Sequence, residues 1–167
     1  MKSMHEELAD AAREFAQDDM RLLCIGPGSA RIAEAASRDT QGSRAYLRQK
    51  DIKEDRQGAA KIEIVEDPSE AFMKAKIKGL DLIVANCALG EICPEEAIGE
   101  LFKKMHKMLS RQGALIITDV LGASRSRKSA DSRTVASKAL EAKFHILRFD
   151  SLRSAKDGKF YIFVLKK

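Results

Sequence analysis

With 167 residues, 44% of them apolar, the chain has the size and composition of one ordinary globular domain with a substantial core. Thirty basic against 25 acidic residues leave a formal charge of +5, a mild excess on a heavily charged surface that carries no argument for nucleic acid by itself. The longest apolar runs, Leu82 to Ala85 and Ala114 to Ile117, are far shorter than the roughly 20 residues a membrane-spanning helix needs.

Acidic residues scattered through Met1 to Arg21 fit neither a secretory signal nor a transit peptide, so a cytoplasmic protein without membrane association is expected. The cysteines, Cys24, Cys87 and Cys93, are odd in number and fall in or beside predicted strands. That usage suits a reducing compartment without structural disulfides. Cys87 and Cys93 are too far apart for a zinc knuckle, and no metal site is expected.

Met4, Leu8, Ala11, Ala12 and Phe15 recur at helical spacing and predict an amphipathic helix within residues 1–20. Arg21 to Ile25 is a compact apolar strand that stops at Gly26-Pro27-Gly28-Ser29, after which Ala30, Ile32, Ala33, Ala35 and Ala36 resume a helical pattern. Between Ser37 and Ala60 only Ala45-Tyr46-Leu47, with Ile52 beyond, suggests a short or edge strand. Lys61 to Val65 reads as a third strand. Asp67 is the expected cap, and Pro68 the first turn, of a helix carrying Ala71, Phe72, Ala75 and Ile77.

Leu80 to Asn86 is a fourth strand, and its unbroken Leu82-Ile83-Val84-Ala85 run fits burial on both faces of a parallel sheet. Pro94, Glu95 and Glu96 mark a helix start, with Ile98, Leu101, Phe102, Met105, Met108 and Leu109 on one stripe. Gln112-Gly113 is expected to end that helix, before a fifth strand from Ala114 to Val120. A loop of small and basic residues, Gly122 to Asp131, precedes a helix through Val135, Ala136, Ala139 and Leu140. Phe144 to Phe149 and Phe160 to Leu165 are the last strands, joined by a hairpin at Asp157-Gly158. Alternating strands and helices closed by a hairpin describe a mostly parallel α/β sheet with an antiparallel edge.

This order resembles the Rossmann-like, seven-stranded fold of S-adenosylmethionine-dependent methyltransferases, with helices on both faces. The length and the lack of a linker predict a single domain over 1–167, and the resemblance covers its core, 21–167. Leu22 to Ser29 looks like the family's first motif, Lys61 to Asp67 like its third strand and Asp81 to Leu89 like its fourth. Leu109 to Leu115 resembles its "L-x-P-G-G-x-L" stretch. The resemblance implies that Gly26, Gly28 and Ser29 would approach the cofactor's methionine part, that Asp67 would sit near the adenine amine, and that Asn86 would open on the active site. Cys24 stands where the family has an acid, and Ala30 where it has a third glycine. The acid that grips the ribose at the end of the second strand is not assigned, because that strand is itself indistinct in the sequence.

A narrower resemblance, carried by Gly79 to Val84, the helix reaching Met108-Leu109 and the stretch Ser132 to Leu140, is to the amino-terminal methyltransferase-like domain of the anamorsin family of cytosolic iron–sulfur cluster assembly factors. It implies a degenerate, non-catalytic module for protein interaction. Its partner would be an iron–sulfur assembly or electron-transfer protein, and no cofactor would be tightly bound. The alternative is a small active methyltransferase using S-adenosylmethionine.

His5, His106 and His145 are dispersed and form no pair of nucleophile and base, so structural roles are expected and no catalytic residue is assigned. Arg125, Arg127 and Lys128, with Arg133 beyond, form the densest basic cluster and are the candidate contact for an acidic partner. No aromatic residues interleave them, so a single-stranded nucleic acid would find no stacking platform.

Overall fold

The computed structural model describes residues 1–48, 51, 77–121 and 130–167, together with the main chain of 61–65. Strands β1 (Arg21–Ile25), β2 (Arg44–Arg48), β3 (Lys61–Val65), β4 (Leu80–Asn86), β5 (Leu109–Val120), β6 (His145–Ser154) and β7 (Gly158–Lys166) form one seven-stranded sheet in the order β3-β2-β1-β4-β5-β7-β6. The first five run parallel, and β7 lies antiparallel to both β5 and β6. Among the described residues the α-helices are α1 (Met4–Arg13), α2 (Ser29–Ser37), α3 (Leu89–Ile92), α4 (Ile98–Met108) and α5 (Ser132–Glu141).

Alternation along the strands divides the core in two. On one face Leu22 and Cys24 of β1, Leu82 and Val84 of β4 and Ile116 of β5 pack under α1 and α2. On the other, Leu23 and Ile25, Ile83 and Ala85, and Leu115 and Ile117 pack under α4 and α5. β4 is central and its run Leu82 to Ala85 is wholly buried, as expected of a strand covered on both faces. A capping box between Ser3 and Glu6 starts α1.

Several boundaries differ from the sequence reading. β2 is short, but it is an inner strand, because β3 pairs on its outer side. The helix expected to run to Gln112-Gly113 stops at Met108. Leu109 continues its apolar stripe but pairs with Leu80 in the sheet, and the register then jumps so that Leu82 meets Ala114. Gly113 sits in this jump, where a β-carbon would stand 2.8 Å from the Leu80 carbonyl oxygen. Glu95 and Glu96 lie in a 3-10 turn, and α3 precedes them without an apolar period long enough to announce it. Leu140, one of the residues that mark α5 in the sequence, is exposed. β6 continues past Phe149 to Ser154, since a half-exposed edge strand needs no dense apolar run. The expected helix after Pro68 and its cap Asp67 lie outside the described residues.

Candidate functional site

The parallel strands β1, β2, β4 and β5 bring their carboxyl ends to one edge of the sheet. β1 is the point where the strand order reverses, with β2 and β3 on one side and β4 and β5 on the other. Open α/β sheets hold their ligands in the crevice at such a reversal.

The turn after β1 is closed from within. Gly26 adopts φ +102°, and a β-carbon there would lie 1.9 Å from the Asn86 carbonyl oxygen, so the turn and the end of β4 approach more closely than any side chain permits. Gly28 caps α2 at φ +75°, and a β-carbon there would lie 2.3 Å from His5 Cδ2. The space above this second glycine is thus filled by a ring from α1. Ser29 is buried, and its hydroxyl donates to the Gly26 carbonyl at 2.5 Å, locking the turn.

His5 is held in place by its neighbour. The Met4 N–H donates to Asp157 Oδ2 at 2.9 Å, and the Ser154 hydroxyl donates to the same oxygen at 2.8 Å. These donors, the Met4 N–H above all, keep the Asp157 carboxyl below the usual carboxylate range. His5 Nε2 lies 3.2 Å from the Pro27 carbonyl oxygen and 3.3 Å from Asn86 Nδ2. Protonated, Nε2 donates to the carbonyl; in the other tautomer it accepts from the amide. Asn86 Nδ2 also donates to the Pro27 carbonyl, which fixes the amide orientation. Its Oδ1 is buried and has no hydrogen-bond partner among the described residues.

On the other flank, the Gly26 N–H donates to Asp51 Oδ2 at 3.0 Å. Arg48, the last residue of β2 and only 2% exposed, grips the same carboxylate with two nitrogens: Nε to Oδ2, and Nη2 to Oδ1 at 2.9 Å. Glu91 Oε2 lies 3.6 Å from the guanidinium. Burial, with the nearby Asp51 charge adding to it, pushes the Cys24 thiol far up, so it is a neutral core group and no nucleophile.

At the end of β5, Asp119 accepts from the Val120 N–H at 2.8 Å and the Ala130 N–H at 3.1 Å, and the Tyr161 hydroxyl donates to the Ala130 carbonyl at 2.8 Å. Burial, helped by Asp119, raises the Tyr161 pKa and keeps this hydroxyl a donor. Ala130 is buried and Asp131 caps α5, so the expected small-residue loop to Asp131 ends in fixed positions, because Ala130 does find a core to enter. Arg125, Arg127 and Lys128 lie outside the described residues, as does Asp67.

Of the expected site residues, Gly26, Gly28, Ser29 and Asn86 therefore do come together. His5, Arg48 and Asp51 join them unannounced. His5 and Asp51 reach the turn across 22 and 25 residues, and Arg48 meets it only through Asp51, so no local pattern points to the turn. Among the described residues, no three histidine, cysteine or acidic side chains are placed to share a metal ion.

Solved structures of the same shape exist. The N-methyltransferase NodS from Bradyrhizobium japonicum, in complex with S-adenosyl-L-homocysteine, superposes with a TM-score of 0.73 over 98% of this chain and 85% of that one, at 16% identity. A TehB-like SAM-dependent methyltransferase from Corynebacterium glutamicum gives 0.64 over 98% and 87%, at 19% identity. The chain has a methyltransferase-like fold. The cyclase SpnF matches equally well, with a TM-score of 0.72 at 14% identity over 97% of this chain and 80% of that one. This methyltransferase-like fold is therefore shared by proteins of different named activities, and identities this low establish shape without reaction. No protein-family model and no curated protein matches the sequence. No helix of the described residues is long and apolar enough to cross a membrane.

Proposed function

We propose that the chain is a methyltransferase-fold module that transfers no methyl group and serves protein interaction in an anamorsin-type cytosolic iron–sulfur assembly protein. One observation carries the first half: the faces of the glycine turn that would meet a cofactor are occupied by the chain itself. His5 covers Gly28, and the Gly26 N–H is given to Asp51. The acid just beyond β2, Asp51, is gripped by the Arg48 guanidinium and by that amide, so its carboxylate is engaged within the chain. In this arrangement the residues do not fit the methionine part of S-adenosylmethionine. The second half rests on the resemblance of Gly79 to Val84, Met108-Leu109 and Ser132 to Leu140, with an iron–sulfur or electron-transfer protein as partner and Arg125, Arg127 and Lys128 as its contact.

Calorimetry with S-adenosylmethionine and S-adenosyl-L-homocysteine tests the first half. The expected result is no saturable heat. A dissociation constant below about 10 µM, roughly 7 kcal/mol, overturns it. Cysteine motifs following this domain in the natural gene product would support the second half, and their absence there would remove it.

One atom favours a second reading, an active methyltransferase. The buried Oδ1 of Asn86 has no partner among the described residues, and a ligand N–H would satisfy it. Under that reading α1 swings aside on binding, so His5→Ala should tighten S-adenosyl-L-homocysteine binding about tenfold.

A further inference from the structure

β6 closes one side of the sheet, and among the described residues it pairs with β7 alone. The outer side of such a strand is a row of free main-chain donors and acceptors, which proteins usually blunt with a short strand, a proline or lysines. β6 is 10 residues long without proline or lysine, and its protection is limited to the charges of Arg148, Asp150 and Arg153 and a bulge between Ile146 and Arg148. It shows solvent two large apolar side chains instead, Leu147 at 58% exposure and Phe149 at 48%. The Phe149 ring already lies on Phe163, with centroids 4.6 Å apart. α5, which packs against β6, adds the exposed Leu140.

The residues around Phe149 match themselves in reverse. If two β6 strands pair antiparallel about a two-fold axis through Phe149, Arg148 of each chain stands opposite Asp150 of the other, and the two Phe149 rings meet. The faces agree. Arg148 and Asp150 pair with Val164 and Ile162, whose side chains enter the core under α1; Arg148 reaches Glu14 of α1 at 2.8 Å and Asp150 of its own strand at 2.9 Å, so pairing across the axis would extend this ion pair into a four-residue network. Phe149 pairs with Phe163, which enters the opposite core. Moving the axis one residue either way puts Arg148 opposite Arg148 or Asp150 opposite Asp150, and like charges directly opposite are destabilising. One register is therefore selected.

We propose that β6 is the interface of a symmetric homodimer, in which two sheets join edge to edge about Phe149 with reciprocal Arg148–Asp150 pairs. A second copy of the chain is the occupant that satisfies the free edge, the exposed ring and the charge order together, and the two-fold axis makes each patch its own complement.

Sedimentation equilibrium of the full chain at about 100 µM, a concentration that detects even weak self-association, tests this. Wild type should sediment at twice the 18.5 kDa chain mass. Arg148→Asp makes both positions acidic and Asp150→Arg makes both basic, so each variant alone should be monomeric. Mixed in equal amounts they should form a heterodimer at least tenfold tighter than either self-association. Should the loss of the Glu14 partner unfold Arg148→Asp, Asp150→Arg alone and hydrogen exchange of wild-type β6 still decide, since β6 amides should gain protection with concentration. A monomeric wild type, single variants that dimerise as wild type does, or β6 exchange independent of concentration would each overturn the proposal.

Discussion

The ring of His5 rests on Gly28, in the space a β-carbon would need: that atom would lie 2.3 Å from His5 Cδ2 and 2.4 Å from His5 Nε2. The contact makes the two residues energetically dependent on each other. Gly28→Ala should cost about 2 kcal/mol, part from left-handed backbone and part from the clash. In a His5→Gly background the same change should cost about 1 kcal/mol less. Urea unfolding of the four proteins in the cycle measures this, and strictly additive costs would contradict the packing.

Gly26 should be far less forgiving, because its obstacle is the main-chain oxygen of Asn86 and no side chain can be trimmed to relieve it. Gly26→Ala is expected to cost about 3 kcal/mol or more. Melting within a few degrees of wild type would show that the turn relaxes away from β4.

Arg48 and Asp51 are a buried pair whose carboxylate also serves the Gly26 amide. Removing the cation leaves an uncompensated charge, so Arg48→Met should cost about 3 to 5 kcal/mol, whereas Arg48→Met combined with Asp51→Asn should cost less than the single change. Denaturant midpoints of both variants check the order.

His106 meets the Phe144 ring edge-on at 5.1 Å, and burial, with Lys167 and Lys143 nearby, holds its pKa below the ordinary 6.5. A base that is harder to protonate when folded contributes stability above its unfolded pKa, and that contribution is lost as pH falls through the lowered folded value. Stability should therefore drop on going from about pH 7 to pH 5, and less steeply in His106→Gln. Parallel slopes for the two proteins would remove His106 as the cause.

The thiols should separate by reactivity. Iodoacetamide at about pH 8 should label half-exposed Cys93 in the native protein and leave buried Cys24 untouched until denaturant is added. A native Cys24 adduct in the mass spectrum would mean that the end of β1 opens.

Much of this fold was legible because its signals are local. β4 reads as a continuous apolar run because it is covered on both faces, and the glycines after β1 mark a strand-to-helix turn wherever they occur. The occupants of the turn were not legible. Asn86 and His5 are 81 residues apart, and Asp51 belongs to a polar stretch without periodicity. The start of β5 was misread for a physical reason: Leu109 satisfies the buried stripe of α4 and the sheet at once, so apolar spacing cannot say where the helix stops.

The bond from the Met4 N–H to Asp157 crosses 153 residues. During synthesis α1 is made 153 residues before its anchor, so it can reach its final seat only after the β6–β7 turn carrying Asp157 has left the ribosome. Until then the glycine turn lies open. Contacts of such sequence separation form late, so substitutions in α1 should speed unfolding while leaving the folding rate nearly unchanged.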